Sequence, residues 1–310
     1  MVSVPMRIQW CANVGRLSVL LIVFLFNTNI AIANVFESYN ENGHGSFTDY
    51  GYQINEHETY YEDAGLSFKS VNPQITVQIE SIGFELSEQF ERDIKLQVSI
   101  AYSVIEGYFF PQIDNNQSLI VKIKVVHDFD TFINMQQSKI GRIISHSGYY
   151  TLGDKVITVL RQASNQETFK TIKHEACHRV LHQFTQNRVR WLNEGIAENC
   201  ENAEQNGNFV EINQNIENNR YINKMAISSR LIPMDEMLTL EANHAQQGNN
   251  AILSQIQSGQ FIYFLLERPE SEYWLSQLLL LERSQINIGH VQIRERLIDL
   301  EDEFVRWAKR

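Results

Sequence analysis

The segment TIKHEACHRV, residues 171–180, places two histidines and a glutamate at a spacing that suits a metal ion. On a helix, residues four apart lie on one face, so His174 and His178 can both reach one ion. Glu175 is rotated by about 100° from His174, so it can reach a water on the ion but cannot share the ligand position. The pattern favours a zinc centre, and two unrelated histidines on one face are the alternative at this point.

Local signals predict the helix that carries these side chains. Ser164, followed by Glu167 three residues later, is the capping-box arrangement of a helix start. His174 and His178 lie roughly opposite the expected buried stripe, whereas a core histidine usually lies within it. That stripe follows the spacing of three or four residues: Phe169, Ile172, Ala176, Val180 and Phe184.

A catalytic zinc needs a third protein ligand and an open fourth position. The segment RWLNEGIAEN, residues 190–199, offers Glu194 for this role. Together, HEACH and WLNEGIAE resemble the gluzincin zinc metallopeptidases, in particular the peptidase-MA-like families related to zinc aminopeptidases and thermolysin-like peptidases. The resemblance implies one Zn²⁺ held by His174, His178 and Glu194, with Glu175 as general base and a second helix starting near Asn193.

The resemblance also implies residues around this centre. Glu198 lies four residues after Glu194 and is expected to accept a hydrogen bond from a ligand histidine, which fixes its tautomer. Gly195 is expected to allow close helix packing. A tyrosine or histidine beyond Glu194 is expected to stabilise the oxyanion. Tyr263 is favoured because it lies in a family-like helical segment, over the other candidates Tyr221, His244 and His290.

The predicted reaction is hydrolysis of a peptide bond by zinc-activated water. Residues 155–160 precede the histidine helix, as the substrate-binding edge strand does in gluzincins, and such a strand can pair with an extended peptide. The Gly-x-Met-Glu-Asn motif that holds a substrate N-terminus in aminopeptidases is missing there. An endopeptidase acting on a peptide or protein is therefore the prediction.

Other interpretations stay open at the level of sequence. The chain could be an inactive binding module on the same fold, or a zinc hydrolase acting on a non-peptide bond. His182 is a third histidine, eight residues after His174, and is interpreted as a structural residue or as one that supports a metal ligand, because the helix continues past His178. Cys177 and Cys200 could be buried thiols or a disulfide between the two site helices.

The first 33 residues predict a cleavable signal peptide. Arg7 and Arg16 precede the apolar run of residues 17–26, and Ala31 and Ala33 offer small residues for cleavage. An uncleaved membrane anchor is the alternative, but this run is short for a span that needs about 20 residues. Removal of the signal peptide leaves 24 basic and 37 acidic side chains, a net charge of −13. This acidity argues against nucleic acid or an anionic membrane surface as partner. We expect a periplasmic or secreted protein without stable membrane insertion.

Hydrophobic patterning predicts an α+β fold, and the resemblance to gluzincins implies a thermolysin-like, or gluzincin-like, catalytic domain. Residues 34–70 read as a small β-rich segment, and residues 75–310 as the catalytic domain. The latter is expected to begin with strands near residues 74–80 and 118–126, a helix over 87–106 and a hairpin over 148–160 that turns at Gly153 and Asp154. Helices are expected beyond residue 165, with a solvated loop over 202–219.

Overall fold

A computed structural model describes residues 67–69, 75–109, 118–185, 189–239, 249–268, 275–276, 278–279 and 287–310. All of them belong to one structural unit, residues 59–310. The predicted signal peptide and the predicted β-rich segment up to residue 66 lie outside the described residues. Within the described part of the chain, no helix combines the length and apolar character needed to span a bilayer.

A mixed four-stranded sheet packs against the helix that carries the two histidines. Its strands are β2 (Ile75–Ile82), β3 (Leu119–Val126), β4 (Gly148–Thr151) and β5 (Val156–Leu160), in the order β2-β3-β5-β4. β2, β3 and β5 run parallel, and β4 pairs antiparallel with β5. The predicted hairpin is thus confirmed.

The expectation that residues 155–160 form the edge strand is wrong. β5 lies between β3 and β4, and four of its five residues are buried. A continuous apolar run of this kind suits an interior strand that is covered on both faces. The edge position next to the histidine helix belongs to β4 instead.

Two helices follow β2 and β3 along the chain. α1 (Glu88–Val104) starts at Ser87, whose hydroxyl accepts the backbone N–H of Phe90 at 3.2 Å. A short π-helical turn, Ile105–Phe109, continues it. α2 (Phe129–Ile140) starts at Asp128 and ends at Gly141, whose φ of 79° lies in the left-handed region that favours glycine. The mixed sheet, with most of the described helices following it along the chain, is compatible with the predicted α+β class.

The histidine helix, α3 (Asn165–Phe184), forms as its sequence predicts. The Ser164 hydroxyl accepts the Glu167 backbone N–H at 3.1 Å. α3 packs against α1 on one side and against β3, β4 and β5 on another. The predicted stripe is confirmed, with three members fully buried and two partly buried at its ends: Ile172, Ala176, Val180, Phe169 and Phe184.

The second site helix, α4 (Arg190–Glu201), packs against α3 and begins three residues before the expected Asn193. A disulfide between Cys177 and Cys200 joins the two helices, which decides between the two expected states of these cysteines. Gly195 faces a third helix, α7 (Asn249–Leu266). A Cβ at Gly195 would lie 2.7 Å from Ile262 Cγ1, so α4 and α7 approach as closely as glycine allows.

A second, antiparallel sheet occupies part of the segment predicted as a solvated loop, so that prediction is wrong. β6 (Ala203–Asn206) and β7 (Phe209–Ile212) form a hairpin that turns at Gly207, with a φ of 61°. β1 (Ser67–Lys69) pairs with β7 on its other side. Val210 and Ile212 are buried, so a period of two was present but short among many asparagines.

The remaining described helices close the core on the far side of α4. They are α5 (Ile216–Ile227), α6 (Met234–Met237), α8 (Asn287–Ile298) and α9 (Glu301–Ala308). α5 and α9 pack against α7, and Phe304 of α9 meets Phe261 of α7 with ring centroids 5.3 Å apart. These contacts fix α7, which in turn supports α4 beneath the site.

Candidate metal centre

Three side chains from α3 and α4 converge on one point. The Nε2 atom of His174 lies 3.5 Å from Oε2 of Glu194, and Nε2 of His178 lies 3.9 Å from the same oxygen. Potential ligand atoms of the three residues all lie within 4.8 Å of one another. Bonds of about 2.0–2.1 Å in a tetrahedral zinc site separate the ligand atoms by about 3.3 Å. Small side-chain movements would therefore bring these three groups onto one ion.

The second nitrogen of each imidazole already has a partner. His174 Nδ1 lies 2.7 Å from Oε1 of Glu201, and His178 Nδ1 lies 3.1 Å from Oδ1 of Asn193. Because each oxygen accepts an Nδ1 proton, Nε2 is in both rings the nitrogen that faces Glu194, and a metal ion would take the place of the Nε2 proton of His174. The donor set and its outer hydrogen bonds thus fit a zinc ion.

The hydrogen bond expected at Glu198 is made by Glu201 instead. Glu198 accepts hydrogen bonds from Asn218 at 3.0 Å and from Gln255 at 2.6 Å. These donors turn its carboxylate toward α5 and α7, so it lies near His174 without being that residue's hydrogen-bond partner. Glu201 lies seven residues after Glu194 and hence on the same helical face, a signal that the sequence offered.

A second group, His174, Glu198 and Glu201, also brings its ligand atoms within 4.8 Å. The His174 nitrogen that faces Glu201 is engaged in the hydrogen bond described above, and Glu198 is satisfied by two amides. We therefore assign this group to orienting His174.

Burial and mutual charge set the protonation of the cluster. Burial alone would lower the pKa of His174, but hydrogen bonds to Glu194 and Glu201 outweigh it and raise this pKa well above its usual value. Burial would raise the pKa of Glu194, but the two histidines lower it to about 2. Burial lowers the pKa of His178 to about 4, which keeps its imidazole neutral. An ionised Glu194 beside a neutral His178 is the state that binds a metal cation.

Glu175 lines the site next to strand β4. Burial raises the pKa of its carboxyl to about 7, and a backbone hydrogen bond from Tyr150 partly opposes this rise. Gly148 permits the approach, because a Cβ there would lie 2.5 Å from Thr171 Cγ2 and 3.3 Å from Glu175 Cγ. A carboxyl with a pKa near neutrality can both accept and return a proton.

A cavity of about 760 Å³ opens above this cluster. β4 and the segment before it form one wall, and α3 and α4 form another. His174, Glu175, His178 and Glu194 all line it. Their arrangement leaves room for an extended ligand beside the metal position.

Tyr263 is not part of the site, contrary to the expectation. It lies half-buried on α7 with its ring centroid 6.5 Å from that of Trp307, and it does not line the cavity. Tyr221 packs against the core. His244 lies outside the described residues, and His290 lies on α8 with its side chain outside the description.

Two other side chains that can donate a hydrogen bond line the cavity, and both precede Glu194 in the chain. Tyr150 of β4 and His182 of α3 both line the cavity, and the Tyr150 hydroxyl lies 2.9 Å from His182 Nδ1. Burial raises the pKa of the Tyr150 phenol, so it remains a proton donor. His182 thus supports a side chain of the cavity, and its position one turn after His178 is the signal for that place.

Comparison of the sequence with known families and curated proteins gives no match, so the site is interpreted from its geometry.

The outer hydrogen bond to His174 gives a direct test of the centre. We expect Glu201→Gln to weaken zinc binding by about 10- to 100-fold, because the neutral amide holds the imidazole less firmly and makes it less basic. Competition against a chromogenic chelator would measure the affinity. Glu204→Gln, an exposed change three residues away, is the matched control. Equal affinities in all three proteins would contradict the assignment of Glu201.

Proposed function

We propose that this protein is a zinc-dependent peptidase with a gluzincin-like catalytic domain. The observation that carries the proposal is the convergence of His174, His178 and Glu194 on one point, with the buried carboxyl of Glu175 beside it. A bound zinc ion would supply a Lewis acid that acidifies water and polarises a carbonyl.

Residues of this chain would transfer the proton and stabilise the oxyanion. Glu175 accepts a proton from the attacking water and returns it to the nitrogen of the leaving amine. Gly148 and the Tyr150 backbone hold Glu175 close to β4, so the base lies next to the substrate wall. The Tyr150 hydroxyl, oriented by His182, is our candidate for the donor to the developing oxyanion, in place of Tyr263.

The walls of the cavity suit an extended peptide. β4 has β5 on one side and no further strand of the described sheet on the other, so it can pair with a peptide backbone. Four aliphatic side chains that line the cavity are between 43 % and 61 % exposed: Ile143, Ile144, Leu152 and Ile252. They can cover apolar side chains of the substrate, which supports an endopeptidase acting on peptides or proteins. The predicted signal peptide is the reason for proposing that it acts in the periplasm or outside the cell.

Metal analysis of residues 34–310 tests the proposal. We expect about one zinc per chain, and its loss in Glu194→Ala, because removing one of three ligands leaves too few to hold the ion. Elemental analysis after desalting measures the content, and Glu204→Ala is the control. Zinc that stays in Glu194→Ala, or its absence from the intact protein after reconstitution, would overturn the assignment of the ligands.

A further inference from the structure

Arg190 places a positive charge at the cavity wall close to the metal position. It is the first residue of α4, it lies one turn before Glu194 on the same face, and it lines the cavity. The positive end of the helix dipole adds to its charge. Arg142 is the other arginine of the cavity lining, and it is exposed.

The guanidinium of Arg190 has no partner among the described residues. Its Nε atom is buried and forms no hydrogen bond there, and no carboxylate of the described chain forms an ion pair with it. A buried donor without an acceptor is costly, and such groups in native proteins call for an explanation. The side chain as a whole is only partly buried and lines the cavity, so a ligand there can supply an acceptor to the accessible part of the guanidinium.

An effect on the pKa of Glu194 does not explain why Arg190 lies at the cavity without a partner. Its charge helps to lower the pKa of Glu194, but only after the larger effects of the two histidines. A metal ion on Glu194 would compensate that carboxylate by itself. The guanidinium would then remain available to an anion of the substrate.

We propose that Arg190 binds a carboxylate of the substrate peptide next to the scissile bond. The inference rests on the proposed peptidase function and names its substrate class: peptides with an anionic group at this position. A guanidinium presents a planar fork of donors that matches a carboxylate. An aspartate or glutamate side chain fits the endopeptidase proposed above, whereas the C-terminus of the peptide offers the same chemistry and would make the protein a carboxypeptidase.

The test compares substrates with and without carboxylates. A proteome-derived peptide mixture is digested before and after amidation of all its carboxyl groups, and mass spectrometry measures cleavage. Loss of a charged hydrogen bond of this kind corresponds to a decrease of about 10-fold or more in cleavage rate. Amidation should therefore slow cleavage by the wild-type protein by at least that factor. Arg190→Gln should cleave both mixtures at similar rates.

Arg142→Gln is the matched control. Arg142 also lines the cavity, but it is exposed, so its loss removes the same charge without removing the buried donor. It should preserve the discrimination of the wild-type protein. Zinc affinity gives a second control: Arg190→Gln should bind zinc as the wild-type protein does, whereas a role limited to Glu194 would change the affinity and leave the substrate ratio intact.

Two further measurements distinguish the two sources of the carboxylate, and they distinguish the role of Arg190 from the proposed peptidase function. Synthetic peptides that differ only in a C-terminal amide, or only in Glu against Gln beside the cleaved bond, identify which carboxylate is bound. Zinc-loaded Glu175→Gln protein measures binding of the same peptides without turnover. Equal binding of acid and amide forms would overturn the role of Arg190. Absence of cleavage by the wild-type protein, with binding that still discriminates, would overturn the peptidase proposal alone.

Discussion

Replacement of Glu175 by glutamine is expected to abolish most peptide cleavage while zinc stays bound. Glutamine keeps the size of the side chain but cannot accept the proton of the attacking water, so the rate should fall by about 10²- to 10⁴-fold. Glu175 is not one of the three converging ligand groups, so the metal content should be unchanged. Mass spectrometry of a peptide mixture measures the rate, and elemental analysis measures the zinc.

A second carboxylate of α3 provides the control for this experiment. Glu167 lies on the same helix with its side chain 60 % exposed, and among the described residues its carboxylate pairs with Lys170 alone. Glu167→Gln should leave the cleavage rate within about twofold, since exposed ion pairs contribute little. Equal rates in the wild-type protein and Glu175→Gln would show that the activity comes from another site or a contaminant.

Loss of the Cys177–Cys200 disulfide is expected to destabilise the fold by about 3 kcal/mol, because the bridge restricts a loop of 23 residues in the unfolded chain. The double variant Cys177→Ala, Cys200→Ala removes it without leaving a free thiol. Both cysteines are fully buried between the two site helices, so the lost packing adds to the cost. Urea unfolding in the presence of a chelator measures the free energy without the contribution of zinc.

Reduction of the wild-type protein distinguishes the effect of losing the disulfide from the effect of replacing the two side chains. Unfolding in a strong reductant should lower the midpoint of the wild-type protein and leave that of the double variant unchanged. The same midpoint for the wild-type protein with and without reductant would mean that the two thiols are not bridged in solution. The variant should also bind zinc more weakly, since the bridge holds α3 against α4 beside the ligands.

Much of the candidate site was predictable because its chemistry is local. His174 and His178 are four residues apart on a helix whose start is specified by Ser164, and that spacing alone places them on one face. Residues of the next helix could be added only through the resemblance of WLNEGIAE to a known pattern. The structure brings Glu194 to both histidines, as that resemblance implied.

The choice between Glu198 and Glu201 could not be made from the sequence. Both carboxylates face the same side of α4, and Asn218 and Gln255 engage Glu198, leaving Glu201 to meet His174. Those two donors are 20 and 57 residues away along the chain. Tyr150 and His182, separated by 32 residues, likewise meet only because β4 forms the sheet edge beside α3.

The sequence by itself determined the helix of the histidines, its cap and buried stripe, the β4–β5 hairpin and the α+β class. Each of these depends on residues within one or two turns or strands, where periodicity and capping act. Tertiary structure decided which strand lies at the sheet edge, which carboxylate orients His174, that Cys177 and Cys200 are bridged, and that Arg190 faces the cavity without a partner. These depend on the order of strands and the packing of helices, which bring together residues that no local spacing relates.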